Sequence, residues 1–121
     1  MIYNDFFSKL FNKEISIYDE YEMCLIHDGV YSPKISDISI PDTLILDKRN
    51  VVLTPTINPN YKITVSKAVW ENLEGDFQYA ILRRKDGTLF ACFDLGKKHV
   101  NGKFELEFED YIFSLENEWK E

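Results

Sequence analysis

The side chains able to do chemistry are few and scattered. Two histidines, His27 and His99, and two cysteines, Cys24 and Cys92, are separated by long stretches of chain. A Cys24–His99 or Cys92–His27 pair would supply a nucleophile and its base. Such a pair also needs an orienting group and an oxyanion hole, and no motif points to either. Both cysteines lie in apolar, strand-like runs, which reads as reduced, partly buried thiols; a disulfide between two strands is also open to them. Glu105, Glu107 and Glu109 alternate along one strand face with Asp110 beside them. A divalent cation, a basic partner or plain solvent could face that row. Glycoside hydrolysis needs two carboxyl groups converging across a cleft, which a row along one strand does not supply. The sequence contains no His-Glu-x-x-His, no Cys-x-x-Cys pair, no carboxylate-rich calcium loop and no Gly-rich phosphate loop. No catalytic residue, metal ligand set or cofactor is therefore expected.

The charge balance narrows the partners. Against 14 basic residues stand 21 acidic ones, a net charge of −7. That balance repels phosphate backbones and anionic lipid surfaces, so neither nucleic acid nor membrane is an expected partner. The basic run Arg83-Arg84-Lys85 reads as the solvated end of a hairpin. With 45% hydrophobic residues and 9 Phe, 7 Tyr and 2 Trp, the chain can build a packed core and is not of disordered composition. Its 121 residues suit one domain. No apolar run approaches the ~18 residues of a membrane-spanning helix. The opening Met1-Ile2-Tyr3-Asn4-Asp5 lacks the basic and long apolar segments of a signal peptide.

The elements that must position these groups are short. Phe6, Phe7, Leu10 and Phe11 fall on one face of a helix that Asn4 or Asp5 could cap. So short a helix cannot stand alone in water. It must dock on its own β-core or on a neighbouring subunit. From Ile15 the pattern becomes β-like: Glu22 to Ile26, then a loop from Tyr31 to Asp42 with Pro33 and Pro41. Leu44–Leu46 and Val51–Leu53 read as short runs joined by a polar turn, Asp47-Lys48-Arg49-Asn50. Pro55 and Pro59 argue against a central strand there. Tyr61–Val65 and Phe77–Arg83 alternate, and Asp86-Gly87 predicts a hairpin into Thr88–Phe93. Asn101-Gly102 predicts a second hairpin turn before Lys103–Glu109, and Tyr111–Leu115 could close the sheet. Trp70 reads as a core aromatic, with a ligand-stacking platform as the alternative. The expected fold is mainly β, an antiparallel β-sandwich or flattened barrel with one short N-terminal α-helix. Residues 1–14 form the helix or arm of this single domain, 15–115 the β-sandwich and 116–121 a charged tail.

The order of these features resembles a family of small tailed-bacteriophage virion structural proteins. Tyr3-Asn4-Asp5-Phe6-Phe7-Ser8-Lys9-Leu10 is similar to that family's opening Tyr-Asn-x-Phe-x-x-x-Leu helix. Met23-Cys24-Leu25-Ile26 and Tyr31-Ser32-Pro33-Lys34-Ile35-Ser36-Asp37 resemble the strand and Tyr-Thr-Pro-x-x-x-Asp loop that follow. The likeness is greatest over 61–115: Lys67-Ala68-Val69-Trp70, Phe77-Gln78-Tyr79-Ala80-Ile81, Phe93-Asp94-Leu95-Gly96, Gly102-Lys103-Phe104-Glu105-Leu106 and Tyr111-Ile112-Phe113-Ser114-Leu115. Between Leu44 and Tyr61 the chain departs from it, with prolines where the family has glycines.

The resemblance implies a non-enzymatic part of the virion, made in the host bacterial cytoplasm. Capsid decoration, an auxiliary head protein or the seat of a head fibre comes first, and a tail or neck component second. It would act through other virion proteins, as a symmetric homo-oligomer or bound to a lattice. The residues expected to bind partners are Phe6, Phe7, Leu10 and Phe11 on the helix, and Tyr31, Pro33, Pro55 and Pro59 on the loops. Two further readings stand beside it: a host- or carbohydrate-binding β-domain, and a small bacterial interaction or inhibitor protein.

Overall fold

The computed structural model describes residues 1–56 and 61–115. After helix α1 (Asn4–Phe11) come strands β1 (Tyr21–His27), β2 (Ile45–Val51), β3 (Leu53–Thr56), β4 (Tyr61–Val65), β5 (Ala68–Arg84), β6 (Leu89–Leu106) and β7 (Phe113–Leu115). One sheet has the order β2-β1-β5-β6 and the other β3-β4-β7, with every pairing antiparallel. The expected mainly-β, sandwich-like fold with one short N-terminal helix is what forms, and the sheets do not close into a barrel.

Around β1, the four-stranded sheet is buried on both faces. On one face Met23, Leu25, Ala80 and Leu82 pack with Val51, Leu53, Ile63, Val65 and the helix residue Phe6. On the other, Cys24, Ile26, Ile81 and Cys92 lie under Tyr3, Tyr31, Ile40 and Leu44. This explains why Met23-Cys24-Leu25-Ile26 is continuously apolar rather than alternating: neither side of β1 meets water. The segment between β1 and β2, read from sequence as a loop, acts as a cover.

Two local readings are corrected. Asp47 to Asn50 is no turn: these residues lie inside β2, opposite Glu22 to Leu25 of β1. Asn101-Gly102 is no hairpin end either. Asn101 sits opposite Glu74 and Gly102 opposite Leu73, because β5 is long enough to pair with β6 throughout. The strand pair accommodates these glycines by bending. Its register shifts between Trp70 and Leu73 and between Phe77 and Tyr79, and Gly75, at φ 149°, lies between the two shifts. The bend brings β5 over β2, its non-neighbour in the ladder: Arg49 Nε donates to the Val69 carbonyl at 3.2 Å, and Leu46 packs on Gly75. Trp70 is fully buried between Phe104 and the Arg49 guanidinium, which settles it as a core residue.

Pro55 sits in β3, an edge strand of the small sheet, where a missing N–H is tolerated. The cap of α1 also differs from expectation. Tyr3 is the N-cap, without a side-chain bond, and the Asn4 N–H donates to the Ile35 carbonyl at 2.9 Å. Asp5 pairs instead with Lys9, one turn on, at 3.2 Å. The helix closes in a Schellman motif: Glu14 N–H donates to Lys9 O, Lys13 N–H donates to Leu10 O, and Lys13 takes φ 61°. The expected tail 116–121 lies outside the described residues.

Candidate functional site

The residues expected to meet partners fall at different depths. Phe6 is a correction: it is 1% exposed and stacks on Phe90 with ring centroids 3.8 Å apart, so the helix docks on its own core through it. Phe7 is half-buried against Phe113, and Leu10 is half-buried as well. Phe11 continues the aromatic row from Phe7 into solvent and is 76% exposed. Pro33 and Pro55 are half-buried, and Pro59 lies outside the described residues.

Tyr31 is not a free loop aromatic. Its hydroxyl donates to Asp37 Oδ2 at 2.6 Å and shares a 2.9 Å hydrogen bond with the Tyr3 hydroxyl. Asp37 Oδ2 also accepts the Lys34 N–H at 2.9 Å. The chain from Tyr3 through Tyr31 to Asp37 pins the cover segment to the N-terminus. That N-terminus is itself a strand-like strap: Ile2 bridges Ala91, and backbone bonds join Tyr3 to Phe90 and Met1 to Cys92. The strap occupies the start of the β6 edge, which would otherwise offer unpaired backbone groups. Nothing in the local pattern of residues 1–3 signals this role.

The basic run Arg83-Arg84-Lys85 divides at the end of β5, which stops at Arg84. Lys85 is exposed, but Arg83 is buried, opposite Glu22 in the β1–β5 ladder. Arg83 Nε donates to Glu22 Oε2 at 2.8 Å, and the guanidinium also reaches Asp42 at 3.3 Å in the cover segment. Burial works against the charge on Arg83, yet its acidic neighbours hold its pKa above the ordinary value. This corrects the expectation of a solvated hairpin end for the whole run. The missed signal was its spacing to Glu22, legible only once the strands are paired.

The two thiols flank Ile81 at one register level: Cys24 is opposite Ile81, and Ile81 is opposite Cys92. Two strand spacings put them about 10 Å apart, beyond the ~7 Å limit for a disulfide, and both are free. Burial pushes the Cys24 thiol up to about 12 and the Cys92 thiol up to about 11, so both stay protonated at neutral pH. The histidines do not join them. His27 is exposed at the end of β1, and His99 Nδ1 lies 2.6 Å from Asp76 Oδ1 on the surface.

Glu105 and Glu107 are exposed, and Glu105 pairs with Lys103 at 3.0 Å and Lys67 at 3.3 Å. Those lysines hold its carboxyl below the usual value. Among the described residues no group of three or more His, Cys, Asp or Glu is arranged to hold a metal ion.

Surface concavities gather elsewhere. A groove of about 420 Å³ is lined by Tyr18, Asp19, Glu20, Arg84, Lys85 and Asp86. A second lobe of about 260 Å³ shares Tyr18 to Glu20 and Lys85 with it and runs on over Asn50 to Val52. A third hollow, about 330 Å³, lies between Asp28–Ser32 and Gln78, Tyr79 and Lys97. Large apolar side chains also stand out at the end of α1, Phe11 at 76%, and on the connections, Tyr18 at 81% and Ile38 and Val52 at 66%. Compared with protein-family models, curated proteins and solved structures, the chain matches none.

Proposed function

We propose that the chain is a non-enzymatic structural protein of a tailed-bacteriophage particle. Its place would be on the head, as a decoration or auxiliary protein or the seat of a head fibre. The ordered set of motifs in the sequence supports this reading, and one structural observation carries its physical side. Both faces of the sheet around β1 are closed by the chain itself, while large apolar side chains point outward from the end of α1 and from the connections. Contacts with neighbours then run through the rim of a rigid unit, at Phe11 and at Ile38 in the cover segment. Modest contacts of this kind suffice when many copies sit on a symmetric lattice, because simultaneous engagement multiplies them.

Quantitative mass spectrometry of purified particles of the encoding phage tests it. A copy number that scales with the capsid lattice is expected. A few copies per particle would move the protein to the tail or neck, and absence from particles overturns the virion reading.

A further inference from the structure

We propose that the groove beside Tyr18 is a binding site for a neutral oligosaccharide, a property of the folded chain that does not depend on the virion reading. Three observations meet there. The first is an aromatic ring that the fold does not use. Tyr18 is 81% exposed, yet its turn is tightly tied. Ser16 N–H donates to Asp19 Oδ2 at 2.7 Å, and Tyr18 N–H donates to Ser16 Oγ at 3.1 Å. The Ser16 carbonyl accepts the hydroxyl of buried Tyr21 at 2.8 Å. A ligand that lies on this ring meets a backbone already ordered, which lowers the entropic cost of binding.

The second is the charge pattern. Arg84 is held between Asp19, at 2.9 Å, and Asp86, and Lys85 Nζ lies 4.0 Å from Glu20. The charges answer one another within the groove, so a charged ligand gains little and must break existing pairs. The carboxylates still have free lone pairs and Lys85 has free N–H donors. A group that donates and accepts at once, such as a sugar hydroxyl, fits this mixture without disturbing it.

The third is shape. The two hollows adjoin, sharing Tyr18, Asp19, Glu20 and Lys85 in their walls, and Val52 is exposed along the second. A pyranose presents C–H faces to apolar and aromatic surface and a rim of hydroxyls to polar groups. An aromatic platform beside alternating donors and acceptors is complementary to it.

Backbone-amide NMR of the full chain tests the proposal, titrating with neutral oligosaccharides of glucose, galactose, mannose or N-acetylglucosamine. At least one should give saturable shifts at Tyr18, Glu20, Asn50 and Lys85, with a Kd on the order of 1 mM or tighter. Tyr18→Ala should weaken that binding about tenfold or more while the remaining amide peaks keep their positions. Tyr111→Ala, removing an exposed aromatic elsewhere, should leave it unchanged. Absence of shifts with every sugar, shifts away from the groove, or binding indifferent to Tyr18→Ala overturns the site. So would saturable shifts with short peptides and none with sugars, which would make the site a peptide groove.

Discussion

Deleting the same ring at two points on one helix separates a core residue from a surface residue. Phe6 is 1% exposed and stacked on Phe90, whereas Phe11 is 76% exposed and touches Phe7. Burying a phenylalanine side chain contributes about 1.5–3 kcal/mol. The aromatic pairing adds about 0.5–1.5 kcal/mol. With the cavity left behind, Phe6→Ala should cost about 3–5 kcal/mol. The upper part of that range applies, because an eight-residue helix cannot hold itself once its anchoring ring is gone. Phe11→Ala should stay within about 0.5 kcal/mol of the parent. Urea unfolding followed by circular dichroism reads both, and a thermal melt should show Phe6→Ala falling by roughly 10–20 °C. A cost below about 1 kcal/mol for Phe6→Ala, or equal costs for the two variants, would refute the docking of α1 through Phe6. The proposed role adds a second readout. Phe11→Asp should fold like the parent yet lose capture on assembled particles.

Four further outcomes are expected. Gly75→Ala should cost about 1–2 kcal/mol, since Gly75 holds φ 149° and a Cβ would come within 2.8 Å of Leu46 Cδ1; adding Leu46→Ala should relieve the crowding but not the backbone strain, as a double-mutant cycle in urea would show. Arg83→Met should lose about 1–3 kcal/mol, since buried Glu22 then keeps only Lys48, at 3.5 Å, and pairing it with Glu22→Leu should recover most of that, measured by the same denaturation. Lys13→Gly should raise stability by about 1 kcal/mol, because only glycine takes φ 61° without penalty; an unchanged melting temperature would contradict the Schellman assignment. Stability should also fall in alkali. The thiols of Cys24 and Cys92 are raised from 9.0 to about 12 and about 11, so above pH 9 the unfolded chain loses protons that the folded chain keeps. Their contribution is complete below that pH and declines above it by about 1.4 kcal/mol per pH unit for each thiol. Urea midpoints between pH 8.5 and 10 should show the decline, and it should flatten in Cys24→Ala/Cys92→Ala.

What the sequence determined by itself was whatever depends on near neighbours. The Phe6/Phe7/Leu10/Phe11 spacing specified a helix, Asp86-Gly87 a hairpin, and the alternation from Phe104 a sheet face with Glu105 outward, although the strand stops at Leu106, short of the expected Glu109. Composition and the run of short strands specified a mainly-β fold. The tertiary structure alone decided which apolar side chains are available to others. Phe6 and Phe11 lie on the same predicted face, yet only contact with Phe90 buries the first. It also decided that Arg83 is interior, since its partner Glu22 lies on another strand, and that the thiols stay apart, since Ile81 stands between them. The groove at Tyr18 is of the same kind. Its walls come from the turn before β1, the end of β2 and the β5–β6 hairpin, which local sequence cannot join. Propensity and periodicity act over a few residues, whereas burial, ion pairing and concavity arise only where distant segments meet, and strand register sets which ones do.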